Sequence, residues 1–208
     1  MRANLLNPLG PRLLLASRSA RRVDLLQLVG ARFDVCAADV DERALPDERP
    51  DAHVLRLAEA KARAGLAAAG GASAGDVVAL GADTIVVIDR AILGKPRDVE
   101  DAARMLRLLS GRVHEVWTGV ALVEADGGRC VADAVRSLVK FVPLAEEEIA
   151  DYVATGEPLD KAGAYAVQGF GALHVEAIEG SYSNVVGLPL PHVKRLLDIL
   201  RESPARSA

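Results

Sequence analysis

The segment Val77–Ile88, VVALGADTIVVI, limits the fold more than any other stretch, because it is apolar almost without interruption except at Asp83 and Thr84. A run of this kind reads as a strand buried on both faces. An acid inside such a strand is costly unless it is hydrogen-bonded, paired with a cation or bound to a metal, so Asp83 needs a partner.

Around this strand, apolar runs of strand length alternate with segments of helical period, and the expected class is α/β with a central sheet. Residues 13–16 read as a first buried strand and 21–29 as a helix ended by Gly30. A second amphipathic helix is expected over 52–69, after Pro50 and capped by Asp51, with Leu55, Ala58, Ala62 and Leu66 along one side and Lys61 on its flank. Asp98 is expected to cap a helix over Val99–Leu109 that Gly111 closes. Strands over Val113–Glu124 and 129–142 flank Asp126-Gly127-Gly128, a hairpin signal. A helix over 145–155 opens on three glutamates and ends at Gly156, and another is expected over 190–200. Residues 67–75 read as a loop, 1–11 and 203–208 as flexible ends, and the whole 1–208 as one domain.

Composition narrows the function. A net charge of -4 argues against a nucleic-acid polymer as partner, and 3% aromatics against stacking platforms for single strands. Cys36 and Cys130 lie far apart with no metal-like spacing, and no stretch resembles a membrane span, so a soluble, cytoplasmic protein is expected. Only five of the 25 basic residues are lysines, Lys61, Lys95, Lys140, Lys161 and Lys194, which hints that a compact ammonium is wanted at some of those places.

Three segments carry chemistry. Ser17-Arg18-Ser19-Ala20-Arg21-Arg22 joins a strand to a helix start, where free N–H groups, hydroxyls and guanidiniums make an anion cradle; a plain Ser-capped helix with solvated arginines is the alternative. Gly81-Ala82-Asp83-Thr84 is followed by Gly94-Lys95-Pro96, whose ammonium is expected to reach the same phosphates; an Asp satisfied by neighbouring backbone is the other reading. The third, from Gly156-Glu157-Pro158 through Asp160-Lys161 to Gln168-Gly169, suits a loop that approaches a ligand and then enters a strand. The Gln168 carboxamide matches the O4 acceptor and N3–H donor of uracil or thymine. The Asp160-Lys161 step also reads as a local ion pair. His53, His114, His174 and His192 are scattered and read as bland, and Trp117 as core.

In this order the segments resemble the Maf family of nucleotide pyrophosphatases. The resemblance runs through Leu15 to Arg22, Leu57-Ala58 with Lys61-Ala62, Ala82-Asp83-Thr84, Gly94-Lys95-Pro96, Leu109-Ser110-Gly111-Arg112, Thr118-Gly119-Val120, Gly156-Glu157-Pro158, Asp160-Lys161-Ala162-Gly163, Gln168-Gly169, Gly180-Ser181-Tyr182 and Asn184 to Pro189. Ala20 departs from it, standing where the family usually has proline. The resemblance implies a mixed α/β fold with two lobes around a cleft, frequent homodimers, and hydrolysis between the α and β phosphates with a divalent cation, Mg²⁺ or Mn²⁺. It implies Asp83 as proton acceptor, with Asp83 and Glu42 linked to the metal. Ser17, Arg22, Lys61, Lys95 and Lys161 would hold the triphosphate. Arg21, Thr84 and Gln168 match the branch acting on dTTP and UTP rather than the branch acting on 7-methyl-GTP. Modified pyrimidine triphosphates as substrates, or a binding role in cell division, are the rival expectations.

Overall fold

A computed structural model describes residues 12–70, 77–126 and 128–202. The expected flexible ends, Gly127 of the hairpin signal and residues 71–75 of the expected loop lie outside them.

Seven strands form one mixed sheet: β1 (Arg12–Leu15), β2 (Phe33–Val35), β3 (Val77–Ile88), β4 (Ala91–Leu93), β5 (Val113–Glu124), β6 (Cys130–Phe141) and β7 (Val175–Glu179). The order is β2-β1-β3-β5-β6-β7, with β4 paired to β3. β1 runs parallel to both β2 and β3, whereas the β3–β4 and β6–β7 pairs are antiparallel. Parallel neighbours need a crossover, which helix α1 (Ala20–Leu28) supplies between β1 and β2; helix α2 (Pro50–Ala68) then carries the chain from β2 to β3, on the other side of β1. The chain packs into two compact units, the first within Met1–Asp83, Thr118–Val135 and Gly187–Ala208, the second Thr84–Trp117 and Arg136–Val186.

In the first unit, α2 presents Val54, Ala58, Ala62 and Gly65, spaced to share one helix face. That face lies at backbone distance from the sheet, and glycine is what permits it. A Cβ on Gly81 of β3 would fall inside the Ala58 carbonyl and 2.6 Å from the Ala62 nitrogen; one on Gly119 of β5 would fall inside the Val54 carbonyl. Gly65 does the same from the helix side, where a Cβ would meet that of Ala16 at 2.6 Å. Helix α6 (Leu190–Glu202) buries Val193, Leu196, Leu197 and Leu200 and pairs Arg195 with Asp133 of β6.

The second unit is built on helix α3 (Val99–Leu109). Asp98 caps it as the sequence predicts, its Oδ1 accepting from the Asp101 N–H at 2.7 Å. The stripe Ala102, Met105, Leu106 and Leu109 packs against Val86, Ile88, Val116, Val139 and Phe141, and against Ile149 and Tyr152 of helix α4 (Glu146–Ala154). Leu106, Leu109, Phe141 and Ile149 are fully buried, each stabilising the unit by roughly 1.5–3 kcal/mol before entropy. A short helix, α5 (Tyr182–Val186), follows β7.

Three expectations are corrected. Asp51 does not cap α2: Arg49 is the N-cap, Pro50 opens the helix with its preset φ, and Asp51 in the first turn accepts from Arg49 instead. The loop after Gly156 does not enter a strand directly; three 3-10 turns, Glu157–Asp160, Ala162–Ala164 and Gly169–His174, precede β7. Trp117 is only half-buried rather than core, and its indole N–H donates to Glu115 at 2.6 Å.

Candidate active site

In the first unit, β1 ends at Leu15 and the chain turns through Ala16 and Ser17 into α1. The Ser-capped alternative fails, because Ser19, the N-cap, makes no side-chain cap hydrogen bond. The buried Ser17 hydroxyl instead accepts from the Ser19 N–H at 3.2 Å and from Arg22 Nη1 at 3.0 Å. Arg22 is itself buried, and its Nε donates to the Gly187 carbonyl at 2.8 Å. Burial pulls the Arg22 guanidinium down to about 10, against the attraction of Asp83 and Glu42 and with the repulsion of Arg21. It remains a cation at neutral pH, fixed in a dry setting where its field is weakly screened. Arg18, by contrast, points outward to the exposed Asp39.

The partner required by Asp83 is Lys61. With α2 lying so close to β3, the lysine side chain reaches Asp83 Oδ1 at 2.7 Å and Glu42 Oε1 at 2.6 Å. Both Lys61 and Asp83 side chains are almost enclosed, at 13% and 9% exposure, whereas Glu42 is 55% exposed. One ammonium thus holds two carboxylates, one from a strand and one from the loop between β2 and α2. That loop is itself gripped by α2. Glu48 accepts from Arg56 Nε at 2.6 Å and Nη2 at 2.8 Å, pairs with His53 Nδ1 at 2.8 Å, and accepts from the Leu45 N–H at 3.1 Å. The Arg56 guanidinium, working against the cost of burial and helped by Leu45 and His53, pulls the Glu48 carboxyl far below the usual range. Arg56 also donates to the Arg43 carbonyl at 3.1 Å.

In the second unit, Thr84 is half-buried on β3 and Lys95 is exposed on the bend after β4, next to the buried Pro96. The Gly94 carbonyl accepts from the Gly163 N–H at 3.0 Å, so the Lys95 bend and the Lys161 segment are tied together. Lys161 is 15% exposed and pairs with Asp160, the local ion pair that the sequence allows. Gln168 is exposed, between the buried Ala166 and the 3-10 turn that starts at Gly169. Tyr165 hydrogen-bonds His114 Nε2 at 2.8 Å in the core, where burial lowers the imidazole to about 4 and raises the phenol, so both are neutral at pH 7.

Glu48 and Arg56, together with His53, which the sequence reads as bland, act as supports that sequence reasoning passes over. Only a Glu placed ahead of a helix with His53 and Arg56 one turn apart offered a signal. Asp83 and Glu42 converge on the Lys61 ammonium, and their hard carboxylate oxygens are the donor type that Mg²⁺ takes alongside phosphate oxygens, so the donor set suits a small divalent cation. Among the described residues no group of three His, Cys, Asp or Glu is arranged to hold a metal. Substrate oxygens would have to complete the coordination.

Residues 12–200 match the family model described as Maf-like protein. The chain is 53% identical over 188 residues to the dTTP/UTP pyrophosphatase of Geobacter sp. (strain M21), covering 90% of this chain and 95% of that one. It is 52% identical over 193 residues to the dTTP/UTP pyrophosphatase of Geotalea uraniireducens (strain Rf4), covering 93% and 95%. The protein of the same name from Anaeromyxobacter dehalogenans (strain 2CP-C) is 51% identical over 197 residues, covering 91% and 94%. No described helix is long and apolar enough to cross a membrane.

Proposed function

The chain belongs to the Maf family, and on that premise we propose that it hydrolyses dTTP and UTP to the nucleoside monophosphate and pyrophosphate. The observation that carries the chemistry is the enclosed Asp83–Lys61 pair, with Arg22 close enough that its charge responds to Asp83. A water attacks the α-phosphorus, its proton passes to an Asp83 carboxylate oxygen, and the α–β anhydride bond breaks with its electron pair leaving on pyrophosphate. Lys61 and Arg22 offset the charge that grows on the phosphate oxygens, from positions already set before the reaction. Ser17 holds the Arg22 fork in place and offers its hydroxyl to a phosphate oxygen. Mg²⁺ or Mn²⁺ held by Asp83 and Glu42 would draw charge from those oxygens.

The remaining assignments come from the family pattern. Lys95 and Lys161 hold the triphosphate, and Arg21, Thr84 and Gln168 select the base, Gln168 by pairing its carboxamide with the uracil or thymine edge. A homodimer is proposed on the same ground, with sedimentation as its test. The decisive experiment incubates the purified protein with dTTP, UTP, CTP, ATP, GTP and 7-methyl-GTP and measures pyrophosphate against orthophosphate. Pyrophosphate from dTTP and UTP is expected. Orthophosphate as the product, or 7-methyl-GTP as the preferred substrate, would refute the proposal.

A further inference from the structure

A carboxamide reads a base edge only from a defined place, so reading by Gln168 requires that its Cα be held at a fixed position relative to the base. The chain on both sides of Gln168 converges on one pair of side chains. Tyr152, on α4, donates its hydroxyl proton to Glu157 Oε1 at 2.8 Å, and the same hydroxyl accepts from the Ala166 N–H at 3.2 Å, two residues before Gln168. Glu157 accepts from the Phe170 N–H at 3.0 Å and the Gly171 N–H at 3.0 Å, two and three residues after it. The two arms of the turn also touch. A Cβ on Gly171 would fall inside the Ala166 carbonyl and 2.6 Å from the Tyr152 hydroxyl, and one on Gly169, at φ +71°, would strike the Glu157 carboxylate. Gln168 is therefore the exposed tip of a tight turn whose ends are closed on a buried phenol and a carboxylate.

We propose that Tyr152 and Glu157 are positioning residues for base selection: they touch no substrate, but they fix the main chain from which the Gln168 carboxamide is presented to the base. The inference rests on the reading of Gln168 as the group that meets the base. Their chemistry suits the task. A carboxylate accepts several N–H bonds at once, and charge-assisted bonds are shorter and stronger than neutral ones, so one side chain seated against the glycines holds the turn. Phe170 and Leu173, at 61% and 77% exposure, contribute little packing beside Gln168, so the hydrogen bonds to Glu157 and Tyr152 are a large part of what holds the turn there.

The test uses Tyr152→Phe, which keeps the ring in the core and removes only the hydroxyl, together with Glu157→Gln, Gln168→Ala and the double variant Tyr152→Phe/Gln168→Ala. For each, kcat and KM are measured with dTTP, UTP and CTP, and thermal unfolding is recorded. Tyr152→Phe is expected to lower the dTTP-to-CTP ratio of kcat/KM by about tenfold, a modest share of what a misplacement of about 1 Å costs. The change should fall on KM for dTTP, with kcat within about twofold of wild type. In the Gln168→Ala background the same substitution should leave the ratio where it is, since there is then no carboxamide to aim. An unchanged ratio in Tyr152→Phe, with Gln168→Ala altering it, overturns the positioning role while leaving base reading intact. An unchanged ratio in Gln168→Ala overturns base reading itself. Should Glu157→Gln not fold, Tyr152→Phe alone decides.

Discussion

Replacing Lys61 by alanine separates the two carboxylates from the one cation that the described structure gives them both. At 2.7 Å and an effective dielectric near 20, the gross attraction between Lys61 and Asp83 is about 6 kcal/mol. Much of that is offset by the cost of taking both groups out of water, and removing one member of a buried pair typically costs about 3–5 kcal/mol. Glu42, at 55% exposure, adds under about 1 kcal/mol. The expected destabilisation is about 3–4 kcal/mol, which for a chain of this size lowers Tm by roughly 6–16 °C. Lys194→Ala is the control: its pair with Asp198 is exposed, and its Tm should stay within about 2 °C of wild type. Thermal unfolding followed by circular dichroism reads both. Added Mg²⁺ should raise the Tm of Lys61→Ala more than that of wild type, because the carboxylates then lack a protein cation. A Tm for Lys61→Ala as close to wild type as that of Lys194→Ala would show that Asp83 is satisfied by other means, and the reasoning from the enclosed pair would fail.

Other outcomes are equally measurable. Asp83→Asn should lower kcat for dTTP by about 10²-fold or more, the scale of general acid–base work, and turnover near wild type would remove Asp83 from the chemistry. Gly81→Ala should destabilise by at least about 3 kcal/mol in urea unfolding, since the new methyl meets α2 backbone rather than a movable side chain; a loss under about 1 kcal/mol would mean that α2 lifts easily. Glu48, held down chiefly by Arg56, has a native carboxyl below its ordinary 4.5, so its contribution is present above that value and lost as pH falls. The urea midpoint of wild type should therefore fall more between pH 6 and pH 3 than that of Glu48→Gln, and parallel curves would contradict the latch.

What was legible in the sequence is what depends on local pattern. β3 and β5 have the expected bounds, and α3 carries its predicted cap, because long apolar runs and an Asp ahead of a helix are decided within the segment itself. The demand that Asp83 find a partner was legible too, since an acid in an apolar strand has few physical solutions. β2 and β4 escaped notice: three residues at Phe33–Val35 and at Ala91–Leu93 are too short to show a period and exist because a neighbouring strand offers hydrogen bonds. The supports around the site were hidden for a related reason. Glu48 left only the faint trace of an acid ahead of His53 and Arg56, and nothing near Gln168 announces Tyr152, because that pairing is made by tertiary packing.

The glycines under α2 also bear on how such a protein can be altered. Where Gly81 and Gly119 pass under α2 no side chain of the strand intervenes, and the height of the helix that carries Lys61 is set there by contact with main chain. That clearance cannot be adjusted by swapping one hydrophobic residue for a slightly larger or smaller one, the usual route by which cores drift. A redesign of this protein therefore has to keep both glycines under the helix and seek its changes away from the floor on which the lysine stands.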